Sequence, residues 1–381
     1  MRRFALVGLL LLSTACTKAI ERDWVTATEG TSRCTPALIG DLLVFGNEGG
    51  YVHALDREGN SRWSFTAHRD VVATPAAFGD LVLFGSVSSV FYGVNAATGR
   101  EVWKFVAKDR LKGDPVIWQD EVLFGSYDRH FYALSAATGK LAWQFPPPPA
   151  APSEPAVVLV KGRKGKAEAR PAAAAPVPPP VPEIAAGEFS YAKPIVVEGV
   201  VYEGNLDGYL YALDASSGAM KWRFKTDKGI TSGAIHEKGV LYFGSNDHFL
   251  YALEIASRQP KWKLETGDEV NASPIYADGS IYVGGVDRKF YAVDAESGKV
   301  QWTYSTKGPI VGRAAIYKNL VFVGSGAGDG TLYALDRDKG TLFWSFETGS
   351  KIDSDPLVDG DHLFVTVGDG RLVSFTINRT R

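Results

Sequence analysis

Short apolar runs, each cut off by a turn rich in Gly, Asp or Ser, follow one another along nearly the whole chain. Runs such as Leu81–Ser86, Val122–Ser126, Leu241–Ser245 and Leu320–Ser325 are too short for helices, and their bounding turns predict β-strands. Each follows a short apolar strand that ends in a turn such as Gly79-Asp80. Downstream comes an alternating segment centred on an aromatic residue, then Ala-Leu-Asp, a Thr/Ser-Gly turn and a tryptophan. The clearest copies run from Tyr211 to Trp222 and from Tyr291 to Trp302. Four strands, A to D, recur in this order. The Gly that ends strand B marks a bulge or a close approach of backbones where a side chain does not fit.

The period is measured by tryptophan. Trp24, Trp63, Trp103, Trp143, Trp222, Trp262, Trp302 and Trp344 are spaced 39, 40, 40, 79, 40, 40 and 42 residues apart. Four short strands in about 40 to 45 residues are the signature of a propeller blade. The aromatic eleven residues before each Trp is Tyr92, Tyr132, Tyr211, Tyr251, Tyr291 or Tyr333, with Val52 the exception. Asp355 to Ile377 supplies strands A, B and C without a following Trp, while Trp24 stands near the start with no strand C before it. Residues 21–28 therefore complete the last blade as its strand D, which leaves no open sheet edge at the junction. The fold class is all-β: an eight-bladed β-propeller of four-stranded antiparallel blades, closed by an N-terminal strand in the last blade. A seven-bladed ring with frayed ends is the alternative. The eight tryptophans are expected as buried indoles fastening one blade to the next, and the Asp of Ala-Leu-Asp as a turn-stabilising side chain.

Within the 79-residue gap only one repeat fits, because residues 146–187 form an insertion between the third and fourth repeats. It holds 12 of the 20 prolines around a basic core, Lys161 to Lys166, and its composition predicts extended or disordered chain. The domain organisation expected is thus a leader at 1–15 and one propeller over 16–381. In the leader, Arg2-Arg3 precede an apolar core from Phe4 to Leu12 and a small-residue stretch, Ser13-Thr14-Ala15, ending at Cys16. This pattern resembles a bacterial lipoprotein signal, which implies cleavage before Cys16, lipidation of Cys16 and a membrane contact through the lipid anchor alone. Ser13 departs from the Leu common in such signals, so ordinary secretion is the alternative. Thr17 after the cysteine favours the outer membrane with the domain facing the periplasm.

With 41 Lys and Arg against 43 Asp and Glu, no whole-protein field favours nucleic acid. With Cys16 lipidated, as the resemblance to a lipoprotein signal implies, Cys34 has no partner for an intramolecular disulfide and is expected as a half-buried structural cysteine in the first loop, a reactive thiol beside Arg33 being the alternative. The histidines His53, His68, His130, His236, His248 and His362 lack metal-ligand spacing, and neither a nucleophile elbow nor a phosphate-cradling loop is present. No catalytic residue and no metal site is predicted.

The Tyr-x-Ala-Leu-Asp-x-x-(Thr/Ser)-Gly-x-x-x-Trp unit resembles the PQQ-like repeat of quinoprotein-type propellers. On a lipoprotein signal at this length, the eight-bladed ring is similar to the BamB family of outer-membrane assembly lipoproteins. The resemblance implies a non-catalytic periplasmic scaffold without a cofactor. It also implies a monomer that binds envelope proteins, the barrel-assembly pore subunit among them. Two alternatives stand beside it: a propeller lipoprotein for another envelope ligand, and a small pyrroloquinoline-quinone-dependent dehydrogenase. Against the latter, the adjacent cysteines and long blade insertions of those enzymes are absent from the sequence. Alternating strand directions place the B–C turns and D–A loops on one face of the ring. Loops on a rigid scaffold are the usual place for recognition, so Arg129, His130, His248, Arg288, Lys289 and Arg371 on the B–C tips are the candidate partner-binding residues.

Overall fold

The computed structural model describes residues 19–147, 157–161, 167–171, 186–189 and 191–378. Eight four-stranded antiparallel sheets follow one another, seven of them with their strands in sequence order. Blade 4 is representative: Ile195–Val197, Val200–Gly204, Tyr209–Asp214 and Met220–Lys225 form strands A to D. The A strands of neighbouring blades pack against one another around the axis, and the D strands form the circumference. The last blade is composite. Leu357–Asp359, His362–Thr366 and Arg371–Ile377 are closed by Ile20–Ala27, whose register runs from Ile20 opposite Ile377 to Ala27 opposite Arg371. That closure gives eight blades and removes the edges that a seven-bladed ring with frayed ends would expose.

Burial alternates along the strands and is deepest in B and C, where residues on both sheet faces are covered by neighbouring blades. Each core cluster spans a seam. Val44, Val52, Ala54 and Trp63 of blade 1, for example, pack with Val82, Phe84, Tyr92 and Val94 of blade 2. A buried aromatic of this kind contributes about 1.5–3 kcal/mol. The glycine ending strand B is a close approach rather than a bulge. A Cβ at Gly46, Gly85, Gly204, Gly244, Gly284 or Gly324 would fall within 2.1–2.7 Å of Val71, Leu111, Ile230, Val270, Ile310 or Ile352 in the adjoining D–A loop. The bulge lies in strand D instead, where Lys221 is the extra residue opposite Ala212 and Leu213 of strand C, and at the corresponding site in the other continuous blades.

Tryptophan docking follows one geometry at six seams. The indole N–H of Trp24, Trp63, Trp103, Trp143, Trp262 and Trp302 donates to a carbonyl in the C–D turn of the next blade at 2.7–3.1 Å. Its ring lies so close over the turn glycine that a Cβ at Gly59, Gly99, Gly139, Gly218, Gly298 or Gly340 would meet it. The expectation of eight buried indoles needs correction. Trp63, Trp103 and Trp143 are buried, whereas Trp24, Trp222, Trp262, Trp302 and Trp344 are half-buried, because the docking turns sit near the outer circumference. Two seams depart further. Trp222 meets a turn without glycine and is covered by the Arg258 guanidinium, 5.9 Å from its ring centroid. Trp344 faces the composite blade, which has no continuous C–D turn, and packs edge-on against Phe375 at 5.4 Å.

Turn chemistry follows the repeat. Asp214 Oδ1 accepts the Ser216 amide at 3.1 Å, Asp294 Oδ1 that of Ser297 at 2.8 Å, and Asp336 Oδ1 that of Lys339 at 2.9 Å. Where the composition of 146–187 predicts extended or disordered chain, Val157–Lys161 and Ala167–Pro171 pair as an antiparallel hairpin separate from every blade. The β-branched, apolar run from Val157 to Val160 gives it strand propensity.

Candidate binding face and channel mouth

The face carrying the B–C turns and D–A loops is held together by one repeated device. An Asp in the B–C turn accepts the hydroxyl of the strand C tyrosine of its own blade, as in Tyr132 to Asp128, Tyr211 to Asp207, Tyr251 to Asp247 and Tyr333 to Asp329, all at 2.7 Å, and in Tyr291 to Asp287. The same carboxylate accepts a backbone N–H from the preceding D–A loop, from Lys108, Gly187, Asp227, Gly267 or Lys307 at 2.9–3.1 Å. Burial beside this carboxylate pushes each of these five phenols above its ordinary range. The rim acids are therefore structural, which leaves the basic tips as the outward-facing chemistry.

Those tips do not converge. Arg129 and His130 stand on blade 3, His248 on blade 5, Arg288 and Lys289 on blade 6 and Arg371 on blade 8. Arg129, His248 and Arg288 hold left-handed backbone with φ of 65–73°, at the turn position that Gly50, Gly208 and Gly370 fill in blades 1, 4 and 8. A non-glycine residue there costs of order 1 kcal/mol, which the turn hydrogen bonds around it offset. His130 Nδ1 lies 2.9 Å from the Asp128 carbonyl oxygen, and His248 Nε2 3.9 Å from Asp268. Arg371 pairs with Asp369 at 2.6 Å and donates to the Thr348 carbonyl, and the Asp369 carboxylate raises its guanidinium pKa. Cys16 and the leader at 1–15 lie outside the described residues. Cys34 is fully buried; its Sγ lies 3.1 Å from both the Gly46 nitrogen and the Ala73 carbonyl, the place that the Ser232 hydroxyl holds in blade 5. Burial raises its thiol pKa, and a thiol so enclosed is structural.

A cavity of about 810 Å³ opens on the same face at the axis. Two residues from each D–A loop, spaced i and i+2, build its wall. The outer ring is Arg33, Val72, Lys112, Tyr191, Thr231, Asn271, Val311 and Asp353, and the inner ring Thr35, Thr74, Asp114, Lys193, Gly233, Ser273, Arg313 and Asp355. None of the six rim candidates lines it. Inner-ring side chains stitch blade to blade, since Asp114 accepts the Thr74 amide, Ser273 that of Gly233, Asp355 that of Arg313 and Thr35 that of Asp355, at 2.7–2.9 Å. Burial and the nearby Asp114 push the Asp355 carboxyl up to about 6, and Arg313 and Lys193 oppose them. In the outer ring Arg33 pairs with Glu48, and Lys112 donates to Tyr191 Oη at 2.8 Å while lying over the Tyr127 and Tyr191 rings. These residues were legible only as the second and fourth positions before each strand A. With no shared residue type there, the repeat consensus passes over them.

Across most of its length the chain matches one family. The sequence profile described as outer membrane protein assembly factor BamB covers residues 48–169, 206–324 and 309–380, well over half of the whole. The chain belongs to the BamB family. Among solved structures, the BamB fold here is similar to that of BamB from Moraxella catarrhalis, with 15% identity and a TM-score of 0.72 over 95% of this chain and 99% of that one. The quinohemoprotein alcohol dehydrogenase from Comamonas testosteroni is similar too, with 16% identity and a TM-score of 0.72 over 96% of this chain and 77% of that one. The computationally designed Ika8 protein shares the fold at 15% identity and a TM-score of 0.73, over 93% of this chain and 99% of that one. No curated protein sequence matches. At such identities the structural likeness establishes the fold and not what the site does.

A quinone held through calcium does not fit the residues of this BamB-family channel. Of its acids, Asp114 and Asp355 already accept backbone N–H groups and Asp353 pairs with Lys351 at 2.7 Å. Among the described residues no three His, Cys, Asp or Glu side chains are grouped to ligate a metal ion.

Proposed function

We propose that this protein is a non-catalytic binding scaffold of the bacterial envelope that assists the assembly of outer-membrane β-barrel proteins. It is anchored to the outer membrane through lipid on Cys16 and faces the periplasm. The observation that carries this reading is the family match across the blades. The face of B–C turns and D–A loops is the binding surface. Its backbone is fixed by the Asp–Tyr clamps, so partner contact costs little ordering of the loops. Arg129, His130, His248, Arg288, Lys289 and Arg371 ring that face as its basic contacts, and a charged rim of this kind steers encounter more than it holds the complex.

In vivo crosslinking of the tagged, membrane-anchored protein, followed by mass spectrometry, tests the reading. The expected result is enrichment of the barrel-assembly pore subunit, lost when Arg129, Arg288 and Arg371 are replaced by Glu. Enrichment of a different envelope protein, or none, rejects the assembly role. Radiolabelled palmitate incorporated by the wild type and not by Cys16→Ser checks the anchor.

A further inference from the structure

The two rings of the channel mouth are not uniform around the axis. From blade 4 to blade 7 the inner ring reads Lys193, Gly233, Ser273, Arg313, two cations flanking the two smallest side chains of the ring. Close packing accounts for the glycine, since a Cβ at Gly233 would come within 3.0 Å of Lys193 Cβ and 2.9 Å of Ser273 Oγ. Between the two cations the cavity runs on along the strands A of blades 4 and 5, where Ile195 and Ile235 line it together with His236.

Among the described residues neither Lys193 nor Arg313 forms a salt bridge, whereas Arg33 is paired with Glu48 and Lys351 with Asp353. Both act on the Asp355 carboxyl only from beyond salt-bridge distance. Asp355, the acid nearest to Arg313 in ring order, spends one oxygen on the Arg313 backbone N–H at 2.7 Å rather than on its guanidinium. A half-buried guanidinium and an exposed ammonium beside apolar wall call for carboxylates, which they hold by charge-assisted hydrogen bonds.

We infer that the channel mouth receives an acidic, partly apolar peptide segment of the partner protein, its carboxylates on Lys193 and Arg313 and its apolar side chains against Ile195 and Ile235. This deepens the proposed scaffold role and rests on it. A peptide suits the site because the cavity is large, opens on the proposed binding face and joins cations to an apolar floor. An isolated small anion would use the cations and leave that floor uncovered.

The test is fluorescence anisotropy of the full mature protein with a labelled peptide alternating leucine and aspartate, beside its leucine–asparagine analogue. Expected are saturable binding of the acidic peptide, at least tenfold weaker binding of the analogue, and at least a tenfold loss in the Lys193→Gln/Arg313→Gln double variant. The Lys193→Arg variant keeps binding and shows that the loss is one of charge. Equal binding of both peptides, or unchanged binding by the double variant, overturns the inference. Succinate that competes as well as the peptide does also overturns it, in favour of a small anion. The two proposals fail separately. Peptide binding by a protein that captures no barrel-assembly pore subunit rejects the assembly role alone, and partner capture that survives Lys193→Gln/Arg313→Gln sinks the peptide inference alone.

Discussion

The seam between blades 3 and 4 and the seam between blades 4 and 5 are built to the same plan with different parts. At the regular seam Gly204 admits Ile230 from the D–A loop, and strand B of blade 5 carries Phe243 in the core. At the other, where the Pro-rich insertion enters, Gly125 admits Phe189, whose Cβ lies where a Gly125 Cβ would be, 2.4 Å away. Glu203 occupies the strand B position that Phe45, Phe84, Phe124 and Phe243 fill elsewhere. It is 1% exposed, and neither carboxylate oxygen has a hydrogen-bond partner among the described residues. A larger loop residue and a smaller, polar strand residue have thus been exchanged at the one junction where the connection is long. The lesson is that a propeller tolerates a large insertion provided that its two ends re-enter the repeat geometry, here at Phe145 and Phe189, both fully buried.

The strongest way to break the comparison is to remove the tryptophan that spans the long connection. Trp143→Ala should cost about 3–5 kcal/mol in urea unfolding, as much as Trp103→Ala at a regular seam. A loss under about half of that value would mean that the irregular seam is held by something else. Trp222→Ala, whose indole docks without a turn glycine, should cost less than either.

Next comes the close approach itself. Gly244→Ala places a Cβ 2.3 Å from the Val270 carbonyl oxygen, so about 1–3 kcal/mol should be lost by overpacking. Gly279→Ala, at a positive φ with nothing within 4 Å, should cost only the smaller backbone strain.

Glu203 sharpens the comparison through pH. Burial, with Asp114 adding to it, holds its carboxyl well above the usual glutamate range. A folded-state pKa raised in this way contributes stability that is full below the unfolded value of about 4.3 and is lost as pH rises through the folded value. Asp355, pushed up to about 6, acts with the same sign between about pH 4 and 6. Wild type minus Glu203→Gln should therefore become less favourable between pH 4 and 8 in melts run in parallel. Glu203→Leu, which removes the buried carboxyl without adding bulk beside Phe189, should stabilise by about 1–3 kcal/mol at pH 7. A pH-independent difference would show that the carboxyl is hydrated after all.

The smallest effect is expected from deleting residues 148–185 and joining the ends with a short Gly/Ser linker. Loop-closure entropy changes by only about 0.6 kcal/mol per doubling of length, so the melting curve should barely move. A shift of several degrees would assign the insertion a packing role.

Blade number, strand order and closure by the N-terminal strand were legible because each is written several times over. The Trp spacing, the Gly ending strand B and the Ala-Leu-Asp turn report local geometry shared by the continuous blades, and a consensus averages away local exceptions. The rim was legible in part: the basic tips could be named from topology, but not the fact that their aspartates are spent on tyrosine clamps. What the repeat could not disclose is whatever differs between blades and meets only at the axis. Lys193 and Arg313 are 120 residues apart in sequence, and no local pattern links them or sets them beside Gly233 and Ser273. Periodicity determined how each blade is made and how it grips the next. Only ring closure decided which eight unlike loop residues face one another across the channel, because that neighbourhood is a property of the assembled circle.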